Sequence, residues 1–147
     1  MDCLDEKILR ELQKDGRISH TDLGRQIGLS ASATQRRVQE LERRKVIAGY
    51  RAVINPAEIG NLFVAYIGVG LNNHTKQTQL SFEHAISAAR EVLECHSVAG
   101  TIEYLLRVEV ANLAAYKSFH TDVLGALPQV SSIITYAVLA SPKDERG

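Results

Sequence analysis

The sequence predicts an α+β chain, three short helices followed by a β-α-β-β-α-β unit, and three observations carry that prediction. Apolar residues recur at helical spacing in three successive stretches before residue 45, each closed by a glycine or a run of charge. Beyond PAEIGN at residues 56–61, which combines a proline with a glycine, the period changes to the alternating and continuous apolar runs of strands. Two helical stretches then separate the strand-like ones in the order of a split β-α-β sheet.

The first helix is CLDEKILRELQKD, residues 3–15, where Leu4, Ile8 and Leu12 form a stripe that Leu9 widens and Gly16 ends. Asp2 is placed to cap it, and Asp5 and Glu6 suit the positive end of its dipole. The second carries Leu23 and Ile27 four apart and breaks at Gly28, where glycine accepts a positive φ at little cost. Leu29 fills the corner, and Ser30 opens ASATQRRVQELERR, a third helix whose buried stripe is Thr34, Val38 and Leu41. Two helices joined by so tight a turn read as a helix-turn-helix.

The rest of the third helix is polar, and its residue types suit a DNA major groove. Arginine reaches guanine O6 and N7 with two bonds, glutamine does the same at adenine, and short hydroxyl residues let the helix N-terminus approach closely. Ser32, Thr34, Gln35, Arg36 and Arg37 are therefore expected at or near base edges, with Arg43, Arg44 and Arg51 nearer phosphates. Glu40 and Arg44, four apart, read as a supporting charge pair. After Gly49, YRAVI at residues 50–54 alternates like a strand and is halted by Asn55-Pro56, which completes a winged layout. The domain reading is a winged helix-turn-helix over 1–54, a hinge over 55–61 and a second domain over 62–147.

In the second domain LFVAYIGVGL is a strand apolar on both faces, and TKQTQLSFEHAISAARE is a helix with Phe82, Ile86 and Ala89 in register. VLECHSVAG is a second strand, and EYLLRVEV a third with Tyr104, Leu106, Val108 and Val110 on one face. NLAAYKSFHTDVLGALP is a helix whose expected stripe is Leu113, Tyr116, His120, Val123 and Leu127, and SSIITYAVLA closes the domain as a fourth strand. This is the ferredoxin-like order. Right-handed crossovers put both helices on one side of the sheet. With strands one, two and four read as apolar on both faces, the other side needs a cover, and the economical one is a second copy related by a two-fold axis.

Composition bounds the function. The chain of 147 residues has a formal net charge of zero, but residues 1–54 hold 11 Lys plus Arg against 8 Asp plus Glu, net +3, and the remainder 6 against 9, net −3. Six cations between Arg36 and Arg51 meet only Glu40 and Glu42, so one end of the chain faces a polyanion and the other does not. The acidic start MDCLDEK lacks an apolar signal core, and the longest apolar run is too short to span a bilayer. Cys3 and Cys95, far apart, fit a reducing compartment. From these features a cytoplasmic location, away from membranes, is expected.

Taken together, LDEKILRELQKDGRIS, LGRQIGLS, RVQELERRKVIAGYRAVINP, ECHSVAG, EYLLRV and ITYAV resemble, in order and spacing, the Lrp/AsnC family of bacterial and archaeal feast/famine transcription regulators, over nearly the whole chain. The resemblance implies a nucleoid-associated regulator of double-stranded DNA. It also implies a ferredoxin-like RAM domain that senses a small molecule, and homodimers that assemble further to octamers. Family effectors are usually amino acids, bound near the loop between the second and third strands. That loop here is VAGTIEYLL. It departs from the family form Gly-Asp-Phe/Tyr-Asp-Tyr, keeping Gly100 and Tyr104 but carrying Thr101, Ile102 and Glu103 between them. Those five residues, with Thr135 and Tyr136 of the last strand, are the effector-binding candidates that the resemblance implies. Gln129 also stands where relatives usually have glycine.

Enzyme chemistry is not expected. His20, His74, His84, His96 and His120 show no paired ligand spacing, and Cys95-His96 points two ways from one strand. There is no G-x-S-x-G, Walker loop or G-x-G-x-x-G. No cofactor and no metal is expected, and an amino-acid effector is the one small molecule anticipated. The alternatives to a local regulator are an architectural DNA-compacting protein without an effector and, more remotely, a small ferredoxin-like enzyme.

Overall fold

Each of the first three helices begins on a side chain that takes up a free backbone N–H. In the computed structural model, which describes residues 1–145, α1 spans Cys3–Lys14, α2 His20–Ile27 and α3 Ala31–Arg43. The Asp2 carboxylate accepts from the Asp5 N–H while the Asp5 carboxylate accepts from the Asp2 N–H, a reciprocal cap on α1. The Ser19 and Ser30 hydroxyls accept from the N–H groups of Asp22 and Ala33. Gly28 closes α2 at φ 80°, the left-handed conformation its position in the sequence predicts. Ile8, Leu23, Ile27, Val38 and Leu41 form a core that Leu9, Leu12, Ile18, Leu29 and Ile47 surround.

The expected wing strand over 50–54 is not formed. Residues 48–55 carry no regular secondary structure, and their side chains are exposed. Alternation describes only one half of a ladder; without a neighbour to exchange N–H and C=O bonds, the stretch stays extended but unpaired. Tyr50 is held separately, its hydroxyl donating to Glu42 Oε1 at 2.8 Å.

Contacts divide the chain into two compact units, one built on residues 1–54 and the other on residues 55–144. The second unit opens with a 3-10 turn at Pro56–Ile59 and continues as β1 (Phe63–Leu71), α4 (Lys76–Ser87), β2 (Val92–Ser97), β3 (Tyr104–Val110), α5 (Leu113–Ser118) and β4 (Val130–Ala137). The strands are ordered β2-β3-β1-β4, every neighbouring pair antiparallel. This is the ferredoxin-like arrangement. Ala65, Ile67 and Val69 of β1 and Tyr104, Leu106 and Val108 of β3 line the inner face with Phe82 and Ile86 of α4.

Two expectations for this unit need correction. The stripe on the last helix is Tyr116, Phe119 and Leu124; Leu113 is exposed, and His120, Val123 and Leu127 are only half-buried. Phe119 follows Tyr116 at ordinary i+3 spacing, and the π-helical turn at Phe119–Leu124, whose wider rings hold more residues per turn, then carries the stripe to Leu124 instead of Val123. Secondly, β2 is not apolar on both faces. Pairing Glu94 with Arg107 and His96 with Leu105 puts Glu94 and His96 on the outer face, beside Arg107 and Glu109. The outer face is mixed: apolar at Val64, Leu105, Ile134 and Tyr136, charged towards β2.

Candidate functional site

The helix-turn-helix is held tight at one point. At Gly24 a Cβ would lie 2.5 Å from the Leu29 carbonyl oxygen and 2.9 Å from Thr34 Oγ1, so α2 passes α3 at a distance only glycine allows. Thr34 is fully buried there, and its hydroxyl donates to the Ser30 carbonyl at 2.9 Å. Thr34 is therefore withdrawn from the set expected at DNA. It is a packing residue, as its place in the stripe with Val38 and Leu41 requires.

The remaining DNA candidates separate by position around α3. A residue advances about 100° around an α-helix. Ser32, Arg36 and Arg43 consequently fall opposite the buried stripe, with Gln35 on its flank, and all four are exposed. Arg43 is bonded to Glu40 through Nε at 2.8 Å and Nη2 at 2.6 Å. Glu40 thus pairs with Arg43 three residues on, not with Arg44 as the sequence reading had it, and Arg44 is the exposed C-cap of the helix. The bond from Arg43 holds the Glu40 carboxyl below its usual range. Arg51 lies on the irregular stretch and is exposed.

Arg37 is also corrected. Its Nη1 donates to both oxygens of Asp2, at 2.9 and 2.8 Å, and to Asp5 Oδ1 at 2.9 Å. It faces α1 and not the exposed side. The Asp5 backbone N–H first, and then Arg37, hold the Asp2 carboxyl below its ordinary value. The sequence carried a signal for this contact: Arg37 stands about 60° from Thr34 around the helix, nearer the buried stripe than the free face.

In the second unit the loop before β3 folds onto the outer face of the sheet. Ile102 lies over Gly68, its Cδ1 2.7 Å from where a Cβ would stand. Glu103 is tied at both ends: its N–H donates to the Val69 carbonyl at 3.0 Å, and its carbonyl accepts from the Val98 N–H at 3.0 Å. Its side chain is mostly covered. Oε2 accepts from the Leu71 N–H at 2.7 Å, two residues beyond Val69, where the β1–β3 pairing ends, and Oε1 lies 3.4 Å from His74 Nδ1. Sequence reasoning missed His74, which is remote in the chain. Gly100 and Thr101 are exposed on the same loop.

Three other effector candidates do not join this loop. Tyr104 is 2% exposed on the inner face, its ring centroid 4.7 Å from that of Phe82, and burial together with Glu83 pushes its hydroxyl up to about 12. Thr135 and Tyr136 are neighbours on one strand and point to opposite faces. Thr135 bonds to Tyr116 among the helices, while Tyr136 pairs with Tyr66 on the outer face. Only Tyr136 shares a face with Ile102 and Glu103. The same face holds a group that no motif announced: Arg107, buried, donates to the Tyr66 hydroxyl at 2.9 Å and to Glu109 Oε2 at 3.2 Å.

Among the described residues no buried side-chain nitrogen or oxygen lacks a partner, no group of three or more acidic, histidine or cysteine residues could hold a metal, and no helix is long and apolar enough to cross a membrane.

Comparison with known proteins gives the same two parts. Residues 1–42 match the AsnC-type helix-turn-helix domain and residues 64–147 the Lrp/AsnC ligand binding domain. The leucine-responsive regulatory proteins of Klebsiella pneumoniae and Escherichia coli (strain K12) are each 36% identical over 143 residues, which is 97% of this chain and 87% of theirs. A transcriptional regulator of Neisseria meningitidis, solved as a complex with L-methionine, is similar with a TM-score of 0.93 at 28% identity, over 98% of this chain and 93% of that one. The feast or famine regulatory protein of M. tuberculosis, also complexed with L-methionine, gives 0.84 at 32% identity over 99% and 97% of the two chains.

Proposed function

Because the chain belongs to the Lrp/AsnC family of transcriptional regulators, we propose that it reads DNA sequence through the exposed side of α3 and that an amino acid adjusts its activity from the second unit. The observation that carries the DNA half is the separation of faces on α3. Thr34, Val38 and Leu41 are spent on the core, which leaves Ser32, Gln35 and Arg36 for base edges and Arg43, Arg44 and Arg51 for phosphates. A duplex selected from a random library by the full chain serves as the probe. Arg36→Ala should weaken binding to it by about 1–3 kcal/mol and relax the preference at one position; equal weakening on random duplex would reduce Arg36 to a phosphate contact.

The ligand half is supported by Glu103. An amino acid needs a carboxylate for its ammonium group and N–H donors for its own carboxylate. Glu103 supplies the first on a loop where Gly100 and Thr101 offer exposed backbone, with Ile102 and Tyr136 as the apolar neighbours. L-Methionine and L-leucine are the first ligands to try, since relatives carry those names. At a hundredfold its dissociation constant a ligand should stabilise the protein by about 2.7 kcal/mol, read as a melting shift across the twenty amino acids. Glu103→Gln keeps an acceptor for the Leu71 N–H and removes the charge, so it should abolish the shift while preserving the fold. A shift that survives the substitution would move the site elsewhere.

The working form we propose is a homodimer joined through the outer face of the sheet, where Ile134 and Tyr136 are 42% and 59% exposed. Dimers place two copies of α3 on half-sites related by a dyad. Such a regulator works where chromosomal DNA is, in the bacterial or archaeal cytoplasm.

A further inference from the structure

We propose that Arg37 is not a DNA contact but a positioning residue, the centre of an Asp2–Arg37–Asp5 clamp that sets how α3 is presented to DNA. The proposal rests on the DNA-binding reading above and adds a part to it that lies off the binding face. Three hydrogen bonds of 2.8–2.9 Å converge on one guanidinium nitrogen, and both carboxylates come from the first turn of α1, thirty-two and thirty-five residues away in the chain. The same two aspartates form the reciprocal cap that starts α1. Each carboxylate therefore caps α1 and also binds α3, and the start of α1 cannot shift on α3 without breaking the bonds to Arg37.

The geometry explains why this matters for recognition. Bidentate base contacts tolerate little misplacement, so the helix that makes them must be held from behind. Apolar packing at Val38 and Leu41 is non-directional and carries no preferred bond geometry. A charge-assisted hydrogen bond has a direction, and Arg37 makes its bonds one residue after Arg36, the side chain proposed to read a base. Asp5 is largely covered while Asp2 and Arg37 keep partial exposure, so the contact works at the rim of the helical core.

The test compares wild type, Arg37→Ala, Arg37→Lys, the pair Asp2→Asn with Asp5→Asn, and the combination of that pair with Arg37→Ala. Each is measured as the full chain against the selected duplex and against random duplex of the same length, over a range of salt. Asparagine preserves both cap acceptors, and far-ultraviolet circular dichroism verifies that helix content is intact. The clamp predicts that Arg37→Ala and the asparagine pair each lower the ratio of selected to random affinity by about fivefold, that the combination is no worse than either alone, and that the salt slope is unchanged. Arg37→Lys, which keeps the charge and puts its N–H donors on one nitrogen at the end of a different stem, should show a smaller loss at the same slope.

A direct DNA contact predicts the opposite. Removing two carboxylates would then leave binding as tight as wild type or tighter, Arg37→Ala would lower the salt slope by about one, and the losses would add. Any of those results overturns the clamp. Failure of the wild type to enrich any sequence would instead overturn the DNA-recognition reading on which it rests.

Discussion

At Gly24 the absence of a side chain decides whether two helices can meet. The Leu29 carbonyl that a Cβ would strike is backbone, pinned by its place between α2 and α3, and cannot swing aside as a long side chain could. Gly24→Ala should therefore destabilise the three-helix unit by about 2 kcal/mol although alanine favours helix, a sign opposite to the propensity rule. Urea unfolding followed by circular dichroism measures it, and a neutral or stabilising result would mean that the helices separate at little cost. Thr34 belongs to the same contact. Its residue type suits a base edge and its spacing suits the core, and the spacing governs, because the hydroxyl is satisfied by the Ser30 carbonyl one turn back. Arg37 repeats the lesson at a charged residue: its type suits DNA, whereas its angle around the helix turns it towards Asp2 and Asp5 of α1.

At the scale of elements, legibility follows how local the cause is. Gly28, Ser30 and Asp2 act within four residues of themselves, and the starts of α1 and α3 and the end of α2 were readable to within a residue or two from those positions alone. The segment at 50–54 depended on a partner strand that its own residues cannot reveal, and it formed none. In the last helix, the extra residue in the π turn moved the buried position from Val123 to Leu124, since a periodicity argument presumes one period throughout. The candidate effector loop was legible only through family resemblance. Nothing in VAGTIEYLL announces that the Glu103 carboxylate will take up the Leu71 N–H, thirty-two residues earlier, whereas the alternation of Tyr104 with Leu106 and Val108 did place that ring on the inner face.

The whole molecule combines two separate cores with one exposed sheet face. That face is the place where self-association can be tested without touching either core. Tyr136 stands on it beside Tyr66, so Tyr136→Asp should leave the fold intact and bring the particle from a dimer, or a multiple of one, down to a monomer by light scattering at micromolar concentration. A wild-type monomer would refute the dimer outright. The two cores have a spectroscopic corollary. The chain holds no tryptophan, and of its five tyrosines Tyr66, Tyr104, Tyr116 and Tyr136 lie in the second unit, with only Tyr50 in the first. Intrinsic fluorescence is thus almost entirely a voice of the ligand-binding half. A titration followed by that light alone would be nearly deaf to the half that meets DNA.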